Sequence, residues 1–249
     1  MAASSDPLSC ANIMLNTAVA ESLRLYAERL ENAVDFSAEL QSLIRETVRS
    51  HRRIIFNGNG YDEAWIKEAT TVRGLLNYRT TPDCLPHSLD EKNVKLLVSH
   101  GVLSREEIAS RCEVGLENYC KTIIIEANTM VDMARTEILP AVETFAMETA
   151  KTAAAKRALI ADCPCEYEAG LVGRLDELTG SIAARTAELE EALVELSAME
   201  DFESEAYGIR DKVLGKMGQL RLACDEAETL TPKSRWPFPT YGDLLFGVR

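Results

Sequence analysis

The stretch 171–199, LVGRLDELTGSIAARTAELEEALVELSAM, decides the fold. Leu171, Leu175, Leu178, Ile182, Arg185, Leu189, Ala192, Leu196 and Met199 follow one another by alternating steps of four and three residues. That spacing keeps one stripe of a helix turned toward partner helices. Downstream, Val213, Met217, Leu220, Cys224 and Ala227 repeat it. Upstream, Ser104-Arg-Glu-Glu107 reads as a capping box, hydroxyl and carboxylate each satisfying an amide that a helix start leaves unpaired. It opens a helix to about residue 160, with Ile108, Cys112, Leu116, Tyr119, Ile123, Ala127, Met130, Ala134 and Ile138 on one face. Pro140 should kink it, because proline removes a donor and crowds the carbonyl four residues back. ADCPCEY at 161–167 is the turn between the two long helices. Helical period dominates and strand alternation is almost absent. The expectation is an all-α fold: an antiparallel helical bundle with long coiled-coil-like helices and an irregular, aromatic C-terminal tail.

The N-terminal part is built from shorter pieces. Ile13, Leu15, Val19, Leu23, Tyr26 and Leu30 recur at helical spacing. Asp35 offers an N-cap for a second helix carrying Phe36, Leu40, Leu43, Ile44 and Val48. Residues 52–61, RRIIFNGNGY, carry a G-x-G turn that invites a nucleotide-loop reading. A phosphate loop needs a strand before it and a sheet around it. Here a helical pattern precedes it and no strand is available to pair, so Asn57-Gly-Asn-Gly60 reads as a corner whose residues suit positive φ. Asp62 caps the next short helix, with Trp65, Ile66 and Val72. Leu75 to Ser88 reads as irregular, punctuated by Pro82 and Pro86, and Gly101 as the C-terminal cap of a helix over 89–100.

Composition narrows the function. At 249 residues, 46% hydrophobic and 27% charged, the chain can bury a core without disulfide or metal staples. A formal charge of −13 opposes a nucleic-acid surface, which needs a basic patch, and an anionic membrane surface. No apolar run approaches the ~20 residues of a membrane helix. The start, MAASSDPLSC, lacks the pattern of a signal peptide. Seven cysteines without framework spacing fit a reducing, cytoplasmic setting.

Chemistry-bearing groups are few. Cys163-Pro-Cys165 lacks the second ligand pair of a structural zinc site and reads as a solvent-side turn. Glu190, Glu191, Glu195, Glu200, Asp201, Glu203 and Glu205 lie on or after a heptad helix, and charges outside such a seam form a solvated face. Asn128, Asp132, Arg135 and Glu137 read as a polar face. Three histidines, His51, His87 and His100, are scattered. No nucleophile, base or metal motif has a recognisable context, so no catalytic, cofactor-binding or metal residue is assigned. The tail is different: Trp236, Phe238, Tyr241, Leu244, Leu245 and Phe246 are crowded together. Large apolar groups gain roughly 1.5–3 kcal/mol each by leaving water. This predicts a docking or interface segment, seated on its own bundle or on something outside the chain.

Several collinear stretches resemble one family. DPLSCANIMLNTAVAES (6–22) is similar to the helix that closes the catalytic domain of glutamine synthetases, with Asp6, Pro7, Ala11 and Asn12 fitting and Ile13-Met14 replacing the family's Pro-Tyr. RIIFNGNGYDEAW (53–65), the stretches 73–111 and 117–142, and the ending WPFPTYGDLLF (236–246) resemble the C-terminal region of type III glutamine synthetases. The resemblance covers nearly the whole chain, whereas 165–230 is generic coiled coil. It implies a parent enzyme joining ammonia to glutamate with ATP and Mg (or Mn) in a ring-shaped homo-oligomer. It also implies that the family's metal, ATP and glutamate ligands precede the first residue here, as in an excised or truncated C-terminal piece. Three segments are then expected: 1–33, the last helix of the catalytic domain; 34–103, a small helical segment; and 104–249, a long bundle or hairpin with the tail. The expected role is assembly or regulation through the catalytic domain and neighbouring subunits, with no ligase activity from the chain alone. A stand-alone coiled-coil adaptor that binds another protein by helix packing is the competing reading.

Overall fold

A computed structural model describes residues 8–196 and 201–247. Every regular element among them is helical, so the chain is all-α as the periodicity predicts. It divides into two compact units, Met1–Leu116 and Glu117–Arg249. The division falls within one long helix, and each unit has its own core.

In the first unit, α1 (Ser9–Glu31), α2 (Phe36–Ser50), α3 (Glu63–Lys67), α4 (Thr81–Cys84) and α5 (Glu91–Ser99) precede the first turns of α6 (Arg105–Met133). The local signals hold. Asp35 Oδ1 accepts from the Ala38 amide at 3.1 Å and Asp62 Oδ1 from that of Ala64 at 2.9 Å. Ser104 and Glu107 exchange both bonds of the capping box, at 2.7 and 3.2 Å. Gly101 takes φ 63 past the end of α5, and the Val102 amide returns to the Leu97 carbonyl at 3.0 Å. That geometry satisfies carbonyls the helix end leaves open and favours a residue without Cβ. The core forms where Val94 and Leu97 of α5 meet Ile108 of α6, with Ile13, Met14 and Leu103 against them.

Two readings of this unit are corrected. Leu75 to Ser88 is not wholly irregular: Thr80 caps α4, Pro82 sits in its first turn, and residues 85–89 continue as a 3₁₀ turn. Proline is tolerated there because first-turn amides lack helical partners. The glycines at 58 and 60 do not adopt positive φ. Gly58 is needed for another reason: a Cβ there would meet the Phe56 ring at 2.6 Å. That ring folds over the corner and stacks on Trp65 at 3.7 Å, while the Arg73 guanidinium lies over the indole at 4.8 Å and donates to the Ile55 carbonyl at 2.9 Å. Asn57–Gly60 is thus a corner closed by an aromatic–cation stack.

The second unit is organised on α8 (Glu166–Leu196). α7 (Leu139–Leu159) packs along it on one side, and α10 (Leu214–Leu230) on the other. Partner pairs give the direction. Lys156 bonds Glu168 and Arg135 bonds Glu190; Arg174 bonds Glu226, Arg185 bonds Gln219 and Lys212 bonds Glu195. As numbers rise on α8 they fall on both partners, so both pairings are antiparallel. Leu175, Leu178, Ile182, Leu189, Ala192 and Leu196 are buried as the heptad reading requires, facing helices of the same chain.

One seam position differs. Arg185 is only half-buried and reaches Ser181 and Gln219, while Thr186 is buried in its place. Its hydroxyl donates to the Ile182 carbonyl at 2.7 Å, which makes the burial of a polar group tolerable. Met199 and Glu200 lie outside the described residues.

Between α6 and α7, residues 134–138 form a π turn in which the Leu139 amide donates to the Ala134 carbonyl. The wide turn sits just before Pro140, where an α-helical bond is lost in any case. A second π turn, 209–213, joins α9 (Phe202–Gly208) to α10.

Leu189→Ala should therefore cost ~2–5 kcal/mol in denaturant unfolding, since its side chain is fully buried against two helices. Leu222→Ala, on the outer face of α10 at 71% exposure, should stay within about 0.5 kcal/mol of the parent chain. Equal losses would contradict the packing.

Candidate functional site

The tail, an apolar groove of the first unit and the cysteine turn are features of the described residues that chemistry or binding could use. The tail leaves α10 at Thr231 and is pinned early. The Arg235 guanidinium forks onto the Glu148 carboxylate of α7, at 3.0 and 2.6 Å. Trp236 and Phe238 are half-buried and meet edge-to-face at 6.4 Å. α11 (Tyr241–Phe246) then opens with a reciprocal cap: Thr240 Oγ1 accepts from the Asp243 amide at 3.3 Å, and Asp243 Oδ2 from the Thr240 amide at 2.9 Å. Lys233 bonds the other carboxylate oxygen of Asp243.

This polar framework presents apolar groups to water. Leu244, Leu245 and Phe246 are 67%, 72% and 80% exposed. The Tyr241 side chain lies outside the described residues. The six residues singled out in the tail thus separate in the structure. Trp236 and Phe238 are partly covered, whereas Leu244, Leu245 and Phe246 are left largely exposed among the described residues.

The first unit contributes an apolar groove between α1 and α2, about 450 Å³, walled by Leu23, Tyr26, Leu30, Leu40, Leu43 and Val48. Arg29 fixes this pair of helices by bonding both Glu39 and Glu46. Ile44 of its wall is exposed, as are Leu15 and Val19 of α1. The sequence periodicity makes this stripe look like core, yet α1 leaves half of it, Leu15, Val19 and Leu23, exposed. Sequence reasoning did not single out this face, because a stripe awaiting a cover has the same spacing as one already covered. Glu21, on the same helix, receives hydrogen bonds from Arg24 and pairs with His100 Nε2 at 2.8 Å, and those partners hold its carboxyl down at about 2.

Three of the acidic residues have local partners. Glu190 and Glu195 are paired with Arg135 and Lys212, and Asp201 caps α9. Among the described residues, no three His, Cys, Asp or Glu side chains converge as metal ligands must. Nor is any described helix long and apolar enough to cross a membrane. Cys165 departs from the solvent-side reading: it is buried, at 5% exposure, with φ 47.

The fold and its exposed faces define an all-α helical module whose polar contacts present uncovered apolar surface. Residues 39–157 match the family described as the glutamine synthetase C-terminal domain. The chain is 34% identical over 216 residues to a glutamine synthetase of Butyrivibrio fibrisolvens, covering 86% of this chain and 31% of that protein. It is 32% identical over 241 residues to a type-3 glutamine synthetase of Dictyostelium discoideum, covering 94% and 33%. A glutamine synthetase of Bacteroides fragilis (strain YCH46) is 24% identical over 253 residues, covering 98% and 35%. The chain thus spans about a third of the length of the curated relatives it matches.

The cap of α11 gives a pH test. Lys233 first, then Thr240, holds the Asp243 carboxyl at about 2 against an ordinary 3.8. A depressed carboxyl stabilises the fold above its unfolded pKa and loses that contribution as pH falls through the folded one. The cap should therefore persist at pH 4 and open toward pH 2. Side-chain carboxyl NMR of Asp243 should titrate near 2; a midpoint near 3.8 would show the cap unformed.

Proposed function

We propose that this chain is the C-terminal helical part of a type III glutamine synthetase and works in assembly or regulation rather than in ligation. The carrying observation is the set Leu244, Leu245 and Phe246, uncovered on a short helix that Arg235, Lys233 and Thr240 hold in place. Polar contacts that order a segment while its apolar side chains face water suit a surface meant for a partner. The occupant in this reading is the enzyme's own catalytic domain or a neighbouring subunit of a homo-oligomer. Trp236, Phe238 and Tyr241 would form the base of that surface. The uncovered face of α1 and α2 supports the same role, with residues 1–33 completing the catalytic domain, 34–103 a small helical segment and 104–249 the bundle and tail.

In this reading ATP, Mg or Mn, glutamate and ammonia are handled by the remainder of a cytoplasmic enzyme of nitrogen metabolism. No step is assigned to residues here. The adaptor reading is disfavoured by the seam of α8, which is filled by α7 and α10 and so is not offered to another protein.

The test uses the full-length enzyme carrying this region. Replacing Leu244, Leu245 and Phe246 together by serine should leave helix content unchanged and shift sedimentation toward smaller species. An unchanged assembly would contradict the tail's role. ATP-dependent glutamine formation by the isolated 249-residue chain would contradict the absence of ligation.

A further inference from the structure

The turn between α7 and α8 brings two nucleophilic side chains together. Cys163 Sγ and Cys165 Sγ lie 3.5 Å apart, and both are free thiols. We propose that Cys163 and Cys165 are a dithiol modification site that closes to an internal disulfide on reaction with a low-molecular-weight disulfide.

Three observations besides the contact support this. Cys165 is the one non-glycine residue at positive φ among the described residues, a strained conformation that persists only where its surroundings enforce it. The surroundings are specific. Its carbonyl accepts from the Ala169 amide at 3.0 Å at the start of α8, and its thiol points at the Ala153 carbonyl of α7 at 3.6 Å. The turn is thereby clamped to both helices with its two sulfurs facing each other. A disulfide needs them at about 2.05 Å, a small closure between side chains already in contact.

The two thiols are also unequal. Cys165 is buried, and burial, with the adjacent Cys163 sulfur, pushes its thiol above the ordinary range. Cys163 is half-buried and so more open to solvent. Cys163 is therefore the attacking group and Cys165 the resolving one.

The chemistry balances with one co-reactant. The Cys163 thiolate attacks a disulfide such as glutathione disulfide, giving a protein–glutathione mixed disulfide and one glutathione thiolate. Cys165 loses its proton to solvent and attacks the Cys163 sulfur, and the second glutathione leaves as thiolate. Two protein thiols are oxidised, one glutathione disulfide is reduced to two glutathiones, and both protons are retained overall.

The whole chain is incubated with glutathione disulfide, quenched in acid, unfolded, alkylated with N-ethylmaleimide and cut with trypsin. Cleavage after Arg157 and Arg174 places both cysteines in the single fragment 158–174. The expected product is that fragment two hydrogens lighter and without alkylation, exceeding its own glutathione mixed disulfide by at least about tenfold because the resolving thiol is held in place. Exposed Cys10 and Cys84 serve as internal references and should give mixed disulfides only. Cys163→Ser should leave Cys165 alkylated and abolish the light fragment, with unchanged circular dichroism. A fragment that keeps two alkylated thiols while Cys10 and Cys84 react, or one that stops at the mixed disulfide, overturns the proposal. Because the readout is a mass, it is independent of any assay of assembly.

Discussion

Burial of one face of α8 is the constraint on which the second unit depends. A helix of 31 residues with a continuous apolar stripe must cover that stripe, and the covering is supplied by α7 and α10 from the same chain. The charged groups then follow. Lys156, Arg135, Arg174 and Lys212 find carboxylates across the helix pairs because the buried seam has already fixed their register. Exposed pairs of this kind contribute little energy, with a median of about 0–1 kcal/mol. They report the register more than they create it.

The first unit is held differently. Its buried core is small, centred on Val94, Leu97 and Ile108, and polar fixings do much of the positioning. Arg29 joins α1 to α2, and Glu21 links α1 to the end of α5 through His100. Fixings of this kind set the direction of α1 without covering its apolar stripe, so Leu15, Val19 and Leu23 stay exposed. The tail repeats the pattern: charged and hydroxyl groups order it, while Leu244, Leu245 and Phe246 stay largely exposed. Both faces support the proposed role in assembly.

Much of this was legible in the sequence, for physical reasons that differ by element. Caps depend on one residue and its near neighbours, so Asp35, Asp62, Gly101 and the Ser104–Glu107 box could be read directly. The α8 seam was legible because its apolar period is regular. Thr186 was not, since a hydroxyl that bonds its own helix one turn back is compatible with a core no composition rule would assign to it. Arg185 holds the right step for the repeat, but its charged head reaches out to Ser181 and Gln219 and leaves the buried place to Thr186. Gly58 was read for backbone freedom, whereas its role is to make room for Phe56, a contact only the folded corner creates. Spacing likewise could not show that Cys165 turns inward to meet Cys163.

The tail marks the boundary between what sequence and fold each supply. Its composition predicts that something must cover it; the structure supplies the framework that orders it, and the relatives supply the family in which to look for the covering surface. The central physical claim, that α8 is sheathed by its own chain, is tested most directly by native-state hydrogen exchange. The account predicts that amides around Leu175, Ile182 and Leu189 are the slowest in the protein, well behind those of α1, at every protein concentration. Protection of α8 that matched α1, or that appeared only as concentration rose, would contradict it.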